Sequence, residues 1–285
     1  MRQTRRVGVV ALLLGLGALG GPPLHAQDSA RVEPFPAGQL FQPPLADPKQ
    51  PHFFASLVWL TSRLVTGQVG SVGLGEDIGI IRGRGGRWQV SVAAGVFSQF
   101  NMETPSYDLL NTDFVIGFPF TWRRDALSAR VRIYHQSSHL GDEFILRTNP
   151  TRVNLSFEAL ELLVSRDVGR VRAYGGGEYL LRHEPADLEA GLLHAGLEYR
   201  HPQALVRLGS LGDGRLVAAL DAKASEERKW QAGWSMRAGL EFRSAVEGTP
   251  RRVSLQLQAY DGPAPYGQFY QENVQSVGIG VHFSL

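Results

Sequence analysis

A two-residue alternation of apolar and polar side chains constrains this chain more than any other feature, and it is clearest between Trp230 and Arg243. Trp230, Ala232, Trp234, Met236, Ala238, Leu240 and Phe242 share one parity, while Gln231, Gly233, Ser235, Arg237, Gly239, Glu241 and Arg243 share the other. Successive side chains of a strand point to opposite faces, so the segment reads as a strand with one apolar and one polar face. The last residues repeat the pattern, with Val277, Ile279, Val281, Phe283 and Leu285 set against Ser276, Gly278, Gly280, His282 and Ser284. Twelve such segments begin near Phe53, Ser71, Trp88, Asp113, Leu127, Leu155, Val171, Leu192, Arg215, Trp230, Val253 and Gln275. An even number of long alternating strands predicts an all-β protein, an antiparallel transmembrane β-barrel of about twelve strands. A soluble β-sandwich alternates equally well. Strand length, an almost purely apolar face and aromatics near strand ends (Trp88, Trp122, Trp230) favour the barrel.

The beginning of the chain supplies an address. Arg2, Arg5 and Arg6 precede an apolar run from Val7 to Leu19, and Leu24-His25-Ala26 resembles a cleavage site, so residues 1–26 are expected to be a signal peptide. Removing them takes away three arginines and no acid, which lowers the formal charge from +2 to −1. Net charge therefore gives no basis for nucleic-acid binding. The chain has no cysteine, so disulfides do not close the fold. Beyond residue 26 no apolar run is long enough for a membrane helix. If the protein resides in a membrane, a closed barrel is the remaining way to satisfy its backbone groups. Residues 27–51 are proline-rich and irregular, an expected lead-in to a barrel over residues 52–285.

Short basic connections (Arg82 to Arg87, Arg123 to Asp125, Arg166 to Arg170) alternate with longer ones such as Leu140 to Asn154 and Asp261 to Asn273. Short turns are expected at the periplasmic end and long loops outside. Arg130, Arg132, Arg237, Glu241, Gln256 and Gln258 take the lumen parity. Their mixed signs suggest a hydrogen-bonded plug or a narrow passage.

One strand ends in reactive residue types. In RVRIYHQSSHLGDEF (Arg130 to Phe144), continuing the apolar parity of Leu127, Ala129, Val131 and Ile133 puts His135, Ser137 and His139 toward lipid, near the outer edge of the apolar band. There a histidine can activate a serine as nucleophile, at the depth of lipid ester bonds. A base also needs a group that fixes its orientation. The sixth segment offers Asn154, Ser156 and Glu158, with Asn154 expected nearest His135 and Glu158 deeper. A plain alternative is that such residues only hydrogen-bond water or headgroups at the interface.

Metal chemistry divides along ligand type. His135 and His139 stand about 13 Å apart on an extended strand, too far to share one zinc ion. Asp142 and Glu143, in a turn after Gly141, suit calcium better. The glycine runs Gly70 to Gly75 and Gly83 to Gly86 precede no helix, which argues against nucleotide binding. Gly175-Gly176-Gly177 reads as a kink that curves the wall.

Four stretches, PFPAGQLFQPPLADPKQPHF (Pro34 to Phe53), QFNMETPSYDLLNTDF (Gln99 to Phe114), YHQSSHLGDEF (Tyr134 to Phe144) and NLSFEALELL (Asn154 to Leu163), together resemble a bacterial envelope family, domain-of-unknown-function family 1207. That likeness covers nearly all of the chain after residue 26 and implies an envelope protein without supplying an activity. His135-Gln136-Ser137 followed by Asn154 is similar to the His-x-Ser and downstream Asn of outer-membrane phospholipase A. This second likeness implies a calcium-dependent lipid acyl hydrolase with Ser137 as nucleophile, His135 as base and Asn154 as its orienter, and calcium near Asp142 or Glu143. Expected partners are outer-membrane lipids, with no nucleic acid and no nucleotide; the oligomeric state stays open, a homodimer included. The other function class is a non-enzymatic barrel acting as narrow pore, carrier or structural element.

Overall fold

The computed structural model describes residues 32–150, 152–209, 212–243 and 251–284. The expected signal peptide and the first residues of the lead-in lie outside the described residues. Twelve long strands form one antiparallel ring: β1 Phe53–Thr61, β2 Thr66–Arg82, β3 Trp88–Asn101, β4 Leu109–Arg124, β5 Leu127–Leu140, β6 Leu155–Val168, β7 Val171–Glu184, β8 Gly191–Arg200, β9 Gly212–Ser225, β10 Ala232–Arg243, β11 Arg252–Pro263 and β12 Asn273–Ser284. Each pairs with the next, and β12 pairs with β1 from Gln275 opposite Thr61 to Phe283 opposite Phe53. The sheet has no free edge, as hydrocarbon requires. Two short pieces add to the ring, Glu33–Pro34 alongside β2 and Val206–Leu208 alongside β9.

The predicted alternation becomes an inside and an outside. On β5 the buried side chains are Ser128, Arg130, Arg132, Tyr134, Gln136 and Ser138, while Leu127, Val131 and Ile133 are exposed on the outer wall. On β6 Glu161 and Ser165 are buried, and Leu160, Leu162 and Val164 are exposed. Large exposed apolar side chains recur around the ring (Phe118, Leu197, Met236, Leu257, Ile279), an arrangement that suits lipid and not water. Phe242 belongs to this outer parity yet is buried, because it packs on Gly214 and Val206 of the short added piece.

The proline-rich lead-in is not a tail beside the barrel. Phe41, Ala46, Asp47 and Gln50 are buried in the lumen. The Phe41 ring lies between two guanidinium groups, 5.0 Å from that of Arg130 and 4.7 Å from that of Arg172. Lys223 on β9 pairs with Asp47 at 3.1 Å, and Lys49 with Asp113 on β4. Arg130 donates to Gln50 Oε1 at 2.9 Å, and the Leu45 N–H donates to Glu198 Oε1 at 2.6 Å. A polar lumen needs partners for its charges. A segment with five prolines between Pro36 and Pro51 brings carbonyls and side chains into it without forming ladder bonds of its own. At the other end, residues 264–272 turn inward: the Gly267 N–H donates to Asp113 Oδ2 at 2.9 Å, and Gln268 Nε2 to the Ser138 carbonyl at 2.9 Å. The mixed-charge parity therefore builds a plugged lumen.

The triple glycine differs from expectation. Gly175, Gly176 and Gly177 continue the β6–β7 ladder in register opposite Val164, Leu163 and Leu162. A Cβ on Gly176 would meet the Leu162 carbonyl oxygen at 1.9 Å, so the glycine permits close strand approach. The irregularity lies further along β7, where Ala159 pairs with Leu180 but Glu158 with Arg182, leaving Leu181 as the extra residue.

Three outcomes are expected. Leu162→Arg puts a cation on the outer wall and should lower unfolding stability in lipid vesicles by about 2–4 kcal/mol, measured by urea titration. Lys223→Met leaves Asp47 without its buried cation and should cost about 3–5 kcal/mol in the same titration. In planar bilayers the full-length protein should give no large, steady conductance steps; such steps would contradict a lumen filled by residues 41–50.

Candidate functional site

On the outer wall a polar interruption lies where the upper ends of β5 and β6 meet. His135 is opposite Glu158 in the ladder and Ser137 is opposite Ser156. On the other side, β4 places Ile116 beside His135 and Phe114 beside Ser137. His135 Nδ1 and Glu158 Oε1 are 3.0 Å apart, and their side chains are 40% and 39% exposed on the outer face. Below them the wall is apolar, with Ile133, Leu160, Val131 and Leu162. Above them the His139 ring meets Phe114 edge-on at 5.9 Å, and Ser98 and Thr112 share a hydrogen bond of 2.9 Å. The pair thus marks the upper limit of the apolar band, where the cost of a polar group in lipid falls toward zero.

The chemistry of the pair follows from which nitrogen is engaged. A carboxylate at Nδ1 holds the proton there and leaves Nε2 with a lone pair, the tautomer that a general base requires. Ser137 shares the face two residues along, and its hydroxyl has no hydrogen bond among the described residues, including none to His135. Side chains two apart on a strand are separated by roughly 6.5–7 Å at their Cα atoms. Such apo geometry is often loose and tightens around a substrate. The β7 bulge at Leu181 has a direct effect here: it turns Arg182 to the same face as Glu158, one strand further round.

The remaining sequence candidates fall elsewhere. β6 begins at Leu155 opposite Ser138, so Asn154 lies beyond the paired residues and well above Glu158. Orientation of His135 comes from Glu158, the deeper residue of that parity. Asp142 and Glu143 occupy the first turn of a short helix, α1 (Asp142–Thr148), and are exposed. That helix is anchored by Phe144, buried with Val58, Leu60, Val69 and Leu110. Calcium takes six to eight oxygens, and the His, Asp and Glu side chains that lie close enough to share an ion among the described residues are Glu161, Glu178 and His194, not these two.

Sequence parity alone did not single out the lumen cluster of Glu161, Glu178 and His194, whose ligand atoms lie within 4.8 Å of one another. Glu161 accepts from Arg130 at 2.7 Å and Arg132 at 2.6 Å, and His194 Nε2 lies 2.6 Å from Asp221 Oδ2. Tyr174 also donates to Asp221, at 2.6 Å. Glu161 thus already faces two guanidinium groups, while Glu178 accepts from Tyr134 and lies 3.7 Å from Lys223.

The backbone is similar to that of outer membrane phospholipase A from Escherichia coli, with a TM-score of 0.59 and 13% identity over 82% of this chain and 91% of that one. The Salmonella typhi outer membrane phospholipase, a dimer with bound calcium, gives a TM-score of 0.57 at 13% identity over the same shares. At this identity the likeness concerns the fold. No curated protein matches the chain in sequence. Residues 27–285 match the family model described as "Protein of unknown function (DUF1207)", and the chain belongs to that family.

Proposed function

We propose that this protein is an outer-membrane lipid acyl hydrolase whose site faces the bilayer, with Ser137 as nucleophile, His135 as base and Glu158 as the residue that positions the base. The observation that carries this is the 3.0 Å contact between His135 Nδ1 and Glu158 Oε1, on the lipid-facing wall at the edge of the apolar band. Two structures of similar fold are of outer membrane phospholipases, which supports the same substrate class.

The reaction follows from these groups. A lipid lying against β5 brings its ester carbonyl to the level of Ser137. Ser137 Oγ attacks the carbonyl carbon while its proton passes to His135 Nε2, and Glu158 stabilises the resulting imidazolium through Nδ1–H. Collapse of the tetrahedral adduct breaks the bond to the glycerol oxygen, which leaves with the proton from Nε2. Water, deprotonated by the same nitrogen, then releases the fatty acid and restores Ser137. Arg182, on the same face, provides a cationic contact for a lipid phosphate. No step is assigned to calcium.

A non-enzymatic barrel is the second reading, supported by the missing hydrogen bond between Ser137 and His135. Within it, the filled lumen favours a structural or carrier role over an open pore.

Acyl release from phospholipid mixed micelles by the purified protein, with calcium and with chelator, tests the proposal. Ser137→Ala and His135→Ala should each lower kcat by roughly 10³-fold or more. Glu158→Gln should lower it by about 10²–10⁴-fold. Asn154→Ala should leave the rate within about twofold, since it stands away from the base. No release under either condition, or equal rates in wild type, Ser137→Ala and His135→Ala, removes the enzymatic reading and leaves the second.

A further inference from the structure

A cavity enters the lumen from its outer end, apart from the lipid-facing wall. Arg237 on β10 is only 7% exposed, and no carboxylate lies within ion-pair distance of it among the described residues. Its Nη1 donates to the Leu45 carbonyl at 2.9 Å. The ring nitrogens of His52 and His282 lie 3.5 and 3.4 Å from the same nitrogen. Neither imidazole supplies negative charge. The Gln50 carbonyl, 2.6 Å from His52 Nδ1, keeps the proton on that nitrogen. The nearby acids are engaged elsewhere: Asp47 with Lys223, and Asp221 with His194 and Tyr174. A buried guanidinium without an anion is costly, and the contacts of this one among the described residues all leave Nη1.

Arg237 stands at the base of a cavity of about 80 Å³ that opens between the β1–β2 turn and residues 264–272. Around the arginine the lining is polar, with Ser56, Ser71, Gln99 and Gln258, and the Ser56 hydroxyl is buried without a partner. Toward the mouth the lining turns apolar: Val58, Leu60, Val65, Leu110 and Phe269. The rim carries a closed ion pair between Arg63 and Glu272. By the same measure one water needs roughly 10–15 Å³, so the space suits a molecule of several heavy atoms and not a lone ion.

We infer that this cavity binds a small apolar monocarboxylate from the outer side, with the carboxylate on Arg237 and Ser56 and a short acyl chain along Val58, Leu60 and Phe269. A planar guanidinium matches a carboxylate in a two-point contact, and a chain in a mostly apolar cleft accounts for the rest of the lining. The site does not depend on acyl hydrolysis at Ser137. It would serve equally for a fatty acid released by another reaction of the same class.

Equilibrium dialysis with the full-length protein in detergent tests this, using acetate, hexanoate, octanoate and, as an uncharged match, hexanol, each corrected for uptake by protein-free micelles. Saturable one-to-one binding of hexanoate or octanoate is expected, with acetate and hexanol weaker by roughly tenfold or more. Arg237→Gln should weaken octanoate binding by a similar factor, and Arg237→Lys should recover part of it. Because Arg237 also holds the Leu45 carbonyl, heat-modifiable gel mobility reports whether each variant is folded. Should Arg237→Gln not fold, Val58→Phe, which fills the cavity from the wall, decides, and it should abolish binding. Absence of saturable carboxylate binding, equal binding of hexanol and hexanoate, or octanoate binding unchanged by Val58→Phe overturns the inference.

Discussion

Everything in this molecule depends on the closure of β12 onto β1. In hydrocarbon an unpaired backbone group has no water to turn to, and each one costs several kcal/mol. The register from Gln275 opposite Thr61 to Phe283 opposite Phe53 removes the two edges that an open twelve-stranded sheet would have. Once the ring is closed, strand parity becomes topology: every odd–even choice along a strand is a choice between lipid and lumen. A one-residue slip would send Arg130 and Arg132 into lipid and Val131 into the interior.

Closure also creates the second problem, a lumen crowded with charge. Arg130, Arg132, Glu161, Glu178, Asp221 and Lys223 all point inward. They are stable there only when paired and hydrogen-bonded. The lead-in segment answers this with Asp47, Lys49, Gln50 and the Phe41 ring, each seated against an inward charge of the wall. The plug and the wall charges are therefore one structure. Arg237 stands apart because its protein partners are a carbonyl and neutral rings, which is why it marks a place for an external anion.

The lipid-facing site shows how far parity reasoning carries. That His135 and Ser137 face outward was legible from Leu127, Ala129, Val131 and Ile133 alone, since the side-chain period of a strand is two. The partner of His135 was not. Asn154 and Glu158 share a parity, and only the β5–β6 register decides which lies opposite. Likewise the bulge at Leu181 that turns Arg182 outward leaves no mark in the sequence, while the glycine run that looked like a kink keeps perfect register. Asp142 and Glu143 looked like loop ligands because a helix of only two turns has no clear periodic signal.

The sequence by itself determined the strands, their number and the two faces of each, because those are local properties repeated twelve times. It also determined that the lumen would be charged. The tertiary structure alone decided what fills that lumen, which carboxylate reaches His135 and that Arg237 is left without one. These depend on pairings between residues far apart in the chain, such as Asp47 with Lys223 or Arg237 with Leu45. Such pairings are fixed by ring closure and register, and neither is encoded in any single segment.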